Sequence, residues 1–153
     1  MEAEQIRADL IKAVRSPNAW QTVRHLMLRL KKEDSETILE ALLEIFFLED
    51  LFGCQAAAGG LLWKLKPSYK RNLREDIKRS LQGWDVSIEE LPWYFAEAVG
   101  LDTVRNEVKS LLLDPLEDIE RRRAKTYLYW LSVSSPEEFR RILDKGWNTR
   151  LRG

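Results

Sequence analysis

The richest cluster of chemically active side chains in this sequence combines carboxylates with aromatic rings between Trp84 and Glu97. On a helix begun after Ser87, these groups recur at three- and four-residue spacing and therefore share one face. Such a face could attract a basic partner and bury aromatic area against it. The alternative is that Trp93 and Tyr94 are core residues between neighbouring helices. The residues predicted to bind a protein are Trp84, Asp85, Glu89, Glu90, Trp93, Tyr94 and Glu97.

A second row of carboxylates consists of Glu36, Glu40 and Glu44, spaced by four residues on a predicted helix that buries Leu42. Like charges at this spacing destabilise a helix by about 0.2–0.5 kcal/mol per pair. The row therefore indicates either basic residues on a neighbouring helix, an external basic partner, or an ordinary solvated helix face.

Two basic segments, 64–79 and 121–125, have aromatic residues within or just beyond them and could bind phosphates and stack on single-stranded bases. Against this, the chain has 25 basic and 25 acidic residues, and acidic blocks flank the segments. Nucleic acid is therefore the alternative partner rather than the leading one. The residues assigned to it are Lys64, Lys70, Arg71, Arg74, Arg121, Arg122 and Arg123.

Catalytic and cofactor-binding motifs were sought and none was recognised. A single Cys54 and a single His25 exclude an internal disulfide and argue against a His/Cys metal site. No nucleophile with its base, phosphate-binding glycine loop or metal-ligand spacing is evident. We therefore predict a non-enzymatic protein without a cofactor, and expect Gly59 and Gly60 to allow close helix packing or a bend.

The elements that carry these residues are predicted to be helices, because apolar residues recur at three- and four-residue spacing and never alternate over a long stretch. Capping boxes at 87–90 and 135–138 mark two helix starts. Ser16 and Asp114 precede prolines and mark two more. Helix stops or turns are predicted at Gly53, Gly83, Gly100 and Gly146.

A repeated unit emerges when these segments are aligned. Four sets of apolar residues share internal offsets of 4 and 12, and each set is followed by turn-forming residues. A period near 33 residues that contains two helices is typical of α-solenoids. The four sets are Leu26/Leu30/Leu42, Leu61/Leu65/Ile77, Phe95/Val99/Leu111 and Tyr127/Leu131/Leu143.

This pattern resembles the HEAT or armadillo class of helical repeats over about Asn18–Gly146, with Met1–Arg15 as a capping helix and 147–153 as a tail. The resemblance implies an all-α single domain, a right-handed α-solenoid of about four helical hairpins whose concave face binds a protein or nucleic acid. In size and architecture the chain also resembles small helical-repeat immunity proteins, which implies an inhibitor of a basic toxin such as a nuclease. An irregular helical bundle is the alternative architecture.

Charge is segregated along the chain. Residues 33–63 contain seven acids and no Lys or Arg, and residues 80–120 contain ten acids and two basic residues, whereas 64–79 and 121–153 are basic. These blocks either present banded potential that selects a partner, or pair with one another across neighbouring repeats.

Targeting signals are not recognised. Charges interrupt the N-terminal segment, so the apolar core of a signal peptide is missing, and no apolar run reaches the roughly 20 residues of a membrane span. We therefore expect a cytoplasmic location and no membrane partner. A protein with a basic surface is the expected partner, and a second copy of the chain is the alternative use of exposed aromatic residues.

Overall fold

A computed structural model describes residues 1–151, and within that range the chain forms nine α-helices and no strand. The all-α prediction is confirmed. None of the helices in the described range has the length and apolar character needed to cross a bilayer. The helices are α1 (Ala3–Arg15), α2 (Ala19–Leu30), α3 (Ser35–Phe46), α4 (Cys54–Leu65), α5 (Leu73–Ser80), α6 (Glu90–Val99), α7 (Leu101–Leu111), α8 (Asp118–Val133) and α9 (Pro136–Arg150).

The predicted succession of paired helices matches these bounds. Each of the four apolar sets places its first two residues on one helix and its third on the next, in the pairs α2–α3, α4–α5, α6–α7 and α8–α9. All twelve residues are buried or half-buried. The period in the sequence therefore follows the order of the helices, and among these four pairs only α6 and α7 pack extensively on each other.

The start of α9 is capped as predicted, because the Ser135 hydroxyl accepts the Glu138 backbone N–H at 3.1 Å. Asp34 and Asn72 cap α3 and α5 in the same way, since their side chains accept from backbone N–H groups three residues later. These short polar side chains satisfy donors that have no partner inside the helix.

Three other predicted helix starts are wrong by two or three residues. The Ser16 hydroxyl donates to the Ala13 carbonyl and closes α1, and the Ser87 hydroxyl donates to Asp85 in a turn. Neither hydroxyl therefore caps the helix that follows, and α8 is capped by a glutamate box instead of by Asp114. The observed starts of α2, α6 and α8 are Ala19, Glu90 and Asp118.

The core extends along the whole chain and has α4 at its centre. Nine of the twelve α4 residues are buried, and this helix packs against α1, α2, α3, α6 and α9. A helix enclosed on all sides must be apolar all round, which explains the long uncharged run in the sequence. Cys54 is buried at its start, and burial raises the pKa of the thiol.

Helix α9 crosses back onto α4, the central helix of the core. A Cβ on Gly60 would lie 2.6 Å from the Trp147 ring, so only glycine allows this approach. The Trp147 ring also meets Trp20 of α2 edge-on, with centroids 5.3 Å apart. The prediction that Gly59 and Gly60 permit close packing is thus confirmed.

The prediction that Gly146 ends a helix and that 147–153 form a tail is wrong for the described part of that segment. Gly146 lies inside α9, which continues to Arg150. Trp147 is buried and anchors the helix to the core.

Candidate functional site

The predicted acidic and aromatic face does not exist as an exposed surface, because Trp84, Trp93 and Tyr94 are all buried. Trp93 stacks on Phe139 of α9 with centroids 4.5 Å apart. The Tyr94 hydroxyl donates to the Pro67 carbonyl at 2.6 Å. Helix α6 is covered by α9 as well as by α4 and α7, so the face expected to meet solvent belongs to the core.

The carboxylates of the same segment are separated from one another. Glu90 accepts the Trp147 indole N–H at 3.2 Å, and burial raises its pKa. Burial also raises the pKa of Glu89. Glu97 pairs with Arg140 of α9 at 2.8 Å. Of these carboxylates, Asp85 lines the open cavity that is described below, and Glu97 lines a smaller one.

The row Glu36, Glu40 and Glu44 has its cation on the neighbouring helix, because Arg7 of α1 pairs with Glu44. Glu36 and Glu40 are exposed. One of the three explanations given by the sequence, a basic residue on an adjacent element, is therefore confirmed for Glu44.

Most of the residues assigned to nucleic acid bind other parts of the protein. Arg71 makes a bidentate pair with buried Asp76 at 2.8 and 2.9 Å, and Arg74 pairs with Asp114 at 2.6 Å. Arg121 donates to main-chain carbonyls at the end of α7. The Arg74–Asp114 pair thus joins a basic block to an acidic one, and among this set Lys70 and Arg122 are exposed without an ion pair in residues 1–151.

An open cavity of about 510 Å³ lies between α8, the loop after α3 and the turn after α5. We call it the α8 groove. Acidic groups line the loop side, and basic groups line the helix side. Apolar atoms of Trp84, Val86 and Ile119 form part of its floor and rim. The charged residues that line it are Glu49, Asp50, Asp85, Arg122 and Arg123.

Gln55 holds the loop side of the α8 groove in place. Its side chain is fully buried, and its amide donates to the Gly83 carbonyl at 2.8 Å and the Leu48 carbonyl at 3.1 Å. Its oxygen accepts the Asp85 backbone N–H at 2.7 Å. One side chain therefore joins two loops that are about thirty residues apart in sequence. We call these contacts the Gln55 clasp.

Glycine is required where the two loops meet, because a Cβ on Gly83 would overlap the Leu48 backbone. Sequence reasoning missed Gln55, although one signal was present. It is the only strongly polar side chain in the uncharged run Leu51–Trp63, and a polar residue enclosed by apolar ones needs hydrogen-bond partners.

The loop beside the groove exposes three large apolar side chains. Leu48, Leu51 and Phe52 are 72%, 60% and 57% exposed. We call residues 48–52 the apolar loop. Phe52 has a φ of 61°, a left-handed conformation that costs a non-glycine residue about 1–2 kcal/mol. The conformation is supported by Arg15, whose guanidinium lies 3.6 Å from the Phe52 ring centroid.

Helix α8 continues the apolar surface on the other side of the groove. Ile119, Tyr129 and Val133 are exposed along it, and Val86 is exposed at the turn beside it. The Trp130 indole N–H donates to the Val86 carbonyl at 2.7 Å, which fixes this turn against the helix.

Within residues 1–151, no group of three or more His, Cys, Asp or Glu side chains is placed to hold a metal ion. Comparison with protein-family models, curated proteins and solved structures finds no match to this chain.

Proposed function

We propose that the chain is a non-enzymatic, protein-binding helical-repeat module whose partner contacts the α8 groove and the apolar loop. The observation that carries the proposal is the exposure of Leu48, Leu51 and Phe52 on one short loop. Water-exposed apolar side chains that lie together, beside a cleft, are characteristic of interaction sites. Backbone strain at Phe52 supports the proposal, because such strain concentrates at functional positions.

The partner is proposed to be a protein with a basic, partly apolar surface. The apolar loop carries Glu49 and Asp50 between its leucines, and Asp85 lies across from them at the same cavity. Glu49 is largely exposed and 3.6 Å from Arg123, so its charge remains available to a partner. Complementary charges would speed association and suppress wrong partners.

The scaffold in this proposal is the HEAT-like right-handed solenoid implied by the repeat, and its concrete form is an inhibitor of a basic toxin. The agreement between the repeat and the order of the helices supports the scaffold. The acidic groups beside the apolar loop support the inhibitor, because they would occupy the basic surface where such a toxin meets its own substrate.

The test is a pull-down that compares which proteins of a cell lysate are retained by three purified forms of the chain. These forms are the wild type, Leu48→Ser/Leu51→Ser, and the control Leu113→Ser. Leu113 is 87% exposed in the turn after α7, outside the residues that line the groove. We expect one basic protein to be retained stoichiometrically by the wild type and the control. The loop variant should retain it about tenfold less, as removal of interface anchors does.

Two variants that each reverse one acidic charge test whether the charge of the apolar loop contributes to binding. Glu49→Lys should weaken binding of the same partner, whereas Glu2→Lys, at the exposed residue that precedes α1, should leave it unchanged. A partner that binds all variants equally would contradict the proposal, as would recovery of nucleic acid alone.

A further inference from the structure

A second open cavity, of about 440 Å³, lies between α2, α4 and the end of α9. We call it the α2–α4 cavity. It shares no lining residue with the α8 groove. Its polar lining consists of Arg24, Lys31, Lys64 and Asn148. Its apolar lining consists of Met27, Leu28 and Leu151.

Three cations line this cavity, and no acidic side chain of residues 1–151 does. None of the three takes part in an ion pair within residues 1–151. Lys64 donates to the Asn148 side-chain oxygen, a neutral acceptor. Asp144, one turn earlier on α9, accepts the Trp63 indole N–H at 2.8 Å. Like charges gathered without a counter-ion attract an anion.

The Arg24 guanidinium has one N–H donor that lacks an acceptor within residues 1–151. Its Nε is buried and has no hydrogen-bond partner in the described chain. Buried donors are almost always paired, so each exception calls for an explanation. The guanidinium is a planar fork whose donors match two oxygens of one anionic group. Arg24 also lines the cavity, so an anion bound there would pair with its guanidinium, and a small rotation of the side chain would bring the buried Nε–H to the same acceptor.

We propose that the α2–α4 cavity binds a phosphate monoester, a small molecule that joins one phosphate to an apolar body. A phosphomonoester carries close to two negative charges at neutral pH and three terminal oxygens, which suits one guanidinium and two ammonium groups. A carboxylate brings one charge to the same three cations. Exposed Leu28, with Met27 and Leu151, offers the apolar body a surface. The volume lies within the range of small-molecule sites, about 300–1,000 Å³.

The experiment is an NMR titration of the full chain with four probes: phenyl phosphate, inorganic phosphate, benzoate and a short single-stranded DNA. The Arg24 Nε–H signal and the Asn148 amide report directly on the cavity. We expect phenyl phosphate to shift both signals to saturation. Inorganic phosphate and benzoate should bind about tenfold more weakly, because each lacks one of the two recognised parts.

Variants identify the site. Arg24→Met and Lys64→Met should each weaken phenyl phosphate about tenfold, the loss expected for one charge-assisted contact. Lys31→Met, at an exposed position, provides a third variant that leaves the packing untouched. The control is Lys12→Met, an exposed lysine of α1 that lines neither this cavity nor the α8 groove.

Three results would overturn the proposal. Unchanged affinity in Arg24→Met and Lys31→Met would remove the site. Benzoate binding as tightly as phenyl phosphate would remove the preference for phosphate. Tighter binding of DNA, with shifts that spread to Lys70 and Arg122, would assign the cations to nucleic acid instead.

Discussion

The Gln55 clasp makes the sharpest stability prediction, because one neutral side chain bridges two loops. Gln55→Leu keeps the approximate size of the side chain and removes every polar contact. It leaves the carbonyls of Gly83 and Leu48 and the N–H of Asp85 without their partner. The backbone remains chemically intact, so the cost arises only from unsatisfied groups.

The magnitude follows from the exposure of those three groups. Gly83 is buried, so its carbonyl should lose the full value of a buried hydrogen bond, about 1–3 kcal/mol. The hydrogen bonds to the Leu48 carbonyl and the Asp85 N–H are only partly buried, so each should cost less, about 0.5–1 kcal/mol. We therefore expect Gln55→Leu to lower the free energy of unfolding by about 2–5 kcal/mol.

The assay is urea unfolding followed by far-ultraviolet circular dichroism, with hydrogen exchange of the Asp85 amide as a local readout. Gln21→Leu, at an exposed position on α2, is the matched control and should change stability by less than about 0.5 kcal/mol. The Asp85 amide should exchange faster in Gln55→Leu. Stability of Gln55→Leu within about 0.5 kcal/mol of wild type, with an Asp85 amide that stays protected, would refute the clasp.

Three further predictions concern α9, the acid beneath it and the α2–α4 cavity. Gly60→Ala should destabilise the protein by about 1–3 kcal/mol because its Cβ would meet Trp147. Gly146→Ala, with open space around it, should instead stabilise α9 by about 0.5–1 kcal/mol. Thermal unfolding of both variants measures the two effects, and equal effects would contradict the prediction. Burial raises the pKa of Glu90, so the folded state holds its proton to higher pH than the unfolded state and loses stability as pH rises above the ordinary pKa of about 4.3. Glu90→Gln, whose amide oxygen can still accept from Trp147, should therefore raise the melting temperature at pH 7 and not at pH 4, and a gain that persists unchanged at low pH would be evidence against it. Arg24→Met should not lower stability and should raise it by about 1 kcal/mol, because it removes a buried N–H that lacks a partner; a clear loss in urea unfolding would show that the guanidinium has a structural role.

The paired helices could be predicted because their signals are local. Apolar spacing lies within one turn of a helix, and a capping residue such as Ser135 acts on an amide three residues away. The position of Gly60 within a helical pattern also indicated close packing, although not with which residue. The features that sequence reasoning recovered are those determined by neighbours along the chain.

The candidate site could not be predicted in the same way, because long-range packing determines which residues are exposed. Trp93 lies on a face that helical periodicity assigns to solvent, and it is buried because α9 covers that face through Phe139. Leu51 and Phe52 follow an apolar helix and resemble its continuation, yet the left-handed turn at Phe52 and Gly53 leaves them exposed. Only the tertiary contacts distinguish these two outcomes.

The packing of α9 against the core explains both why the predicted aromatic face is buried and why the proposed binding surface is exposed. Because α9 lies against α4 and buries the aromatic face of α6, it is anchored away from the outward face of α8. Helix α8 packs mainly on α6 and α7, and its other side keeps Ile119, Tyr129 and Val133 in contact with water. The packing of α9 thus buries the aromatic face of α6 and leaves the outward face of α8 exposed. A substitution that loosens α9, such as Gly60→Ala, should expose the aromatic face of α6 and leave the outward face of α8 unchanged. Binding of a partner at the α8 groove should therefore persist in Gly60→Ala.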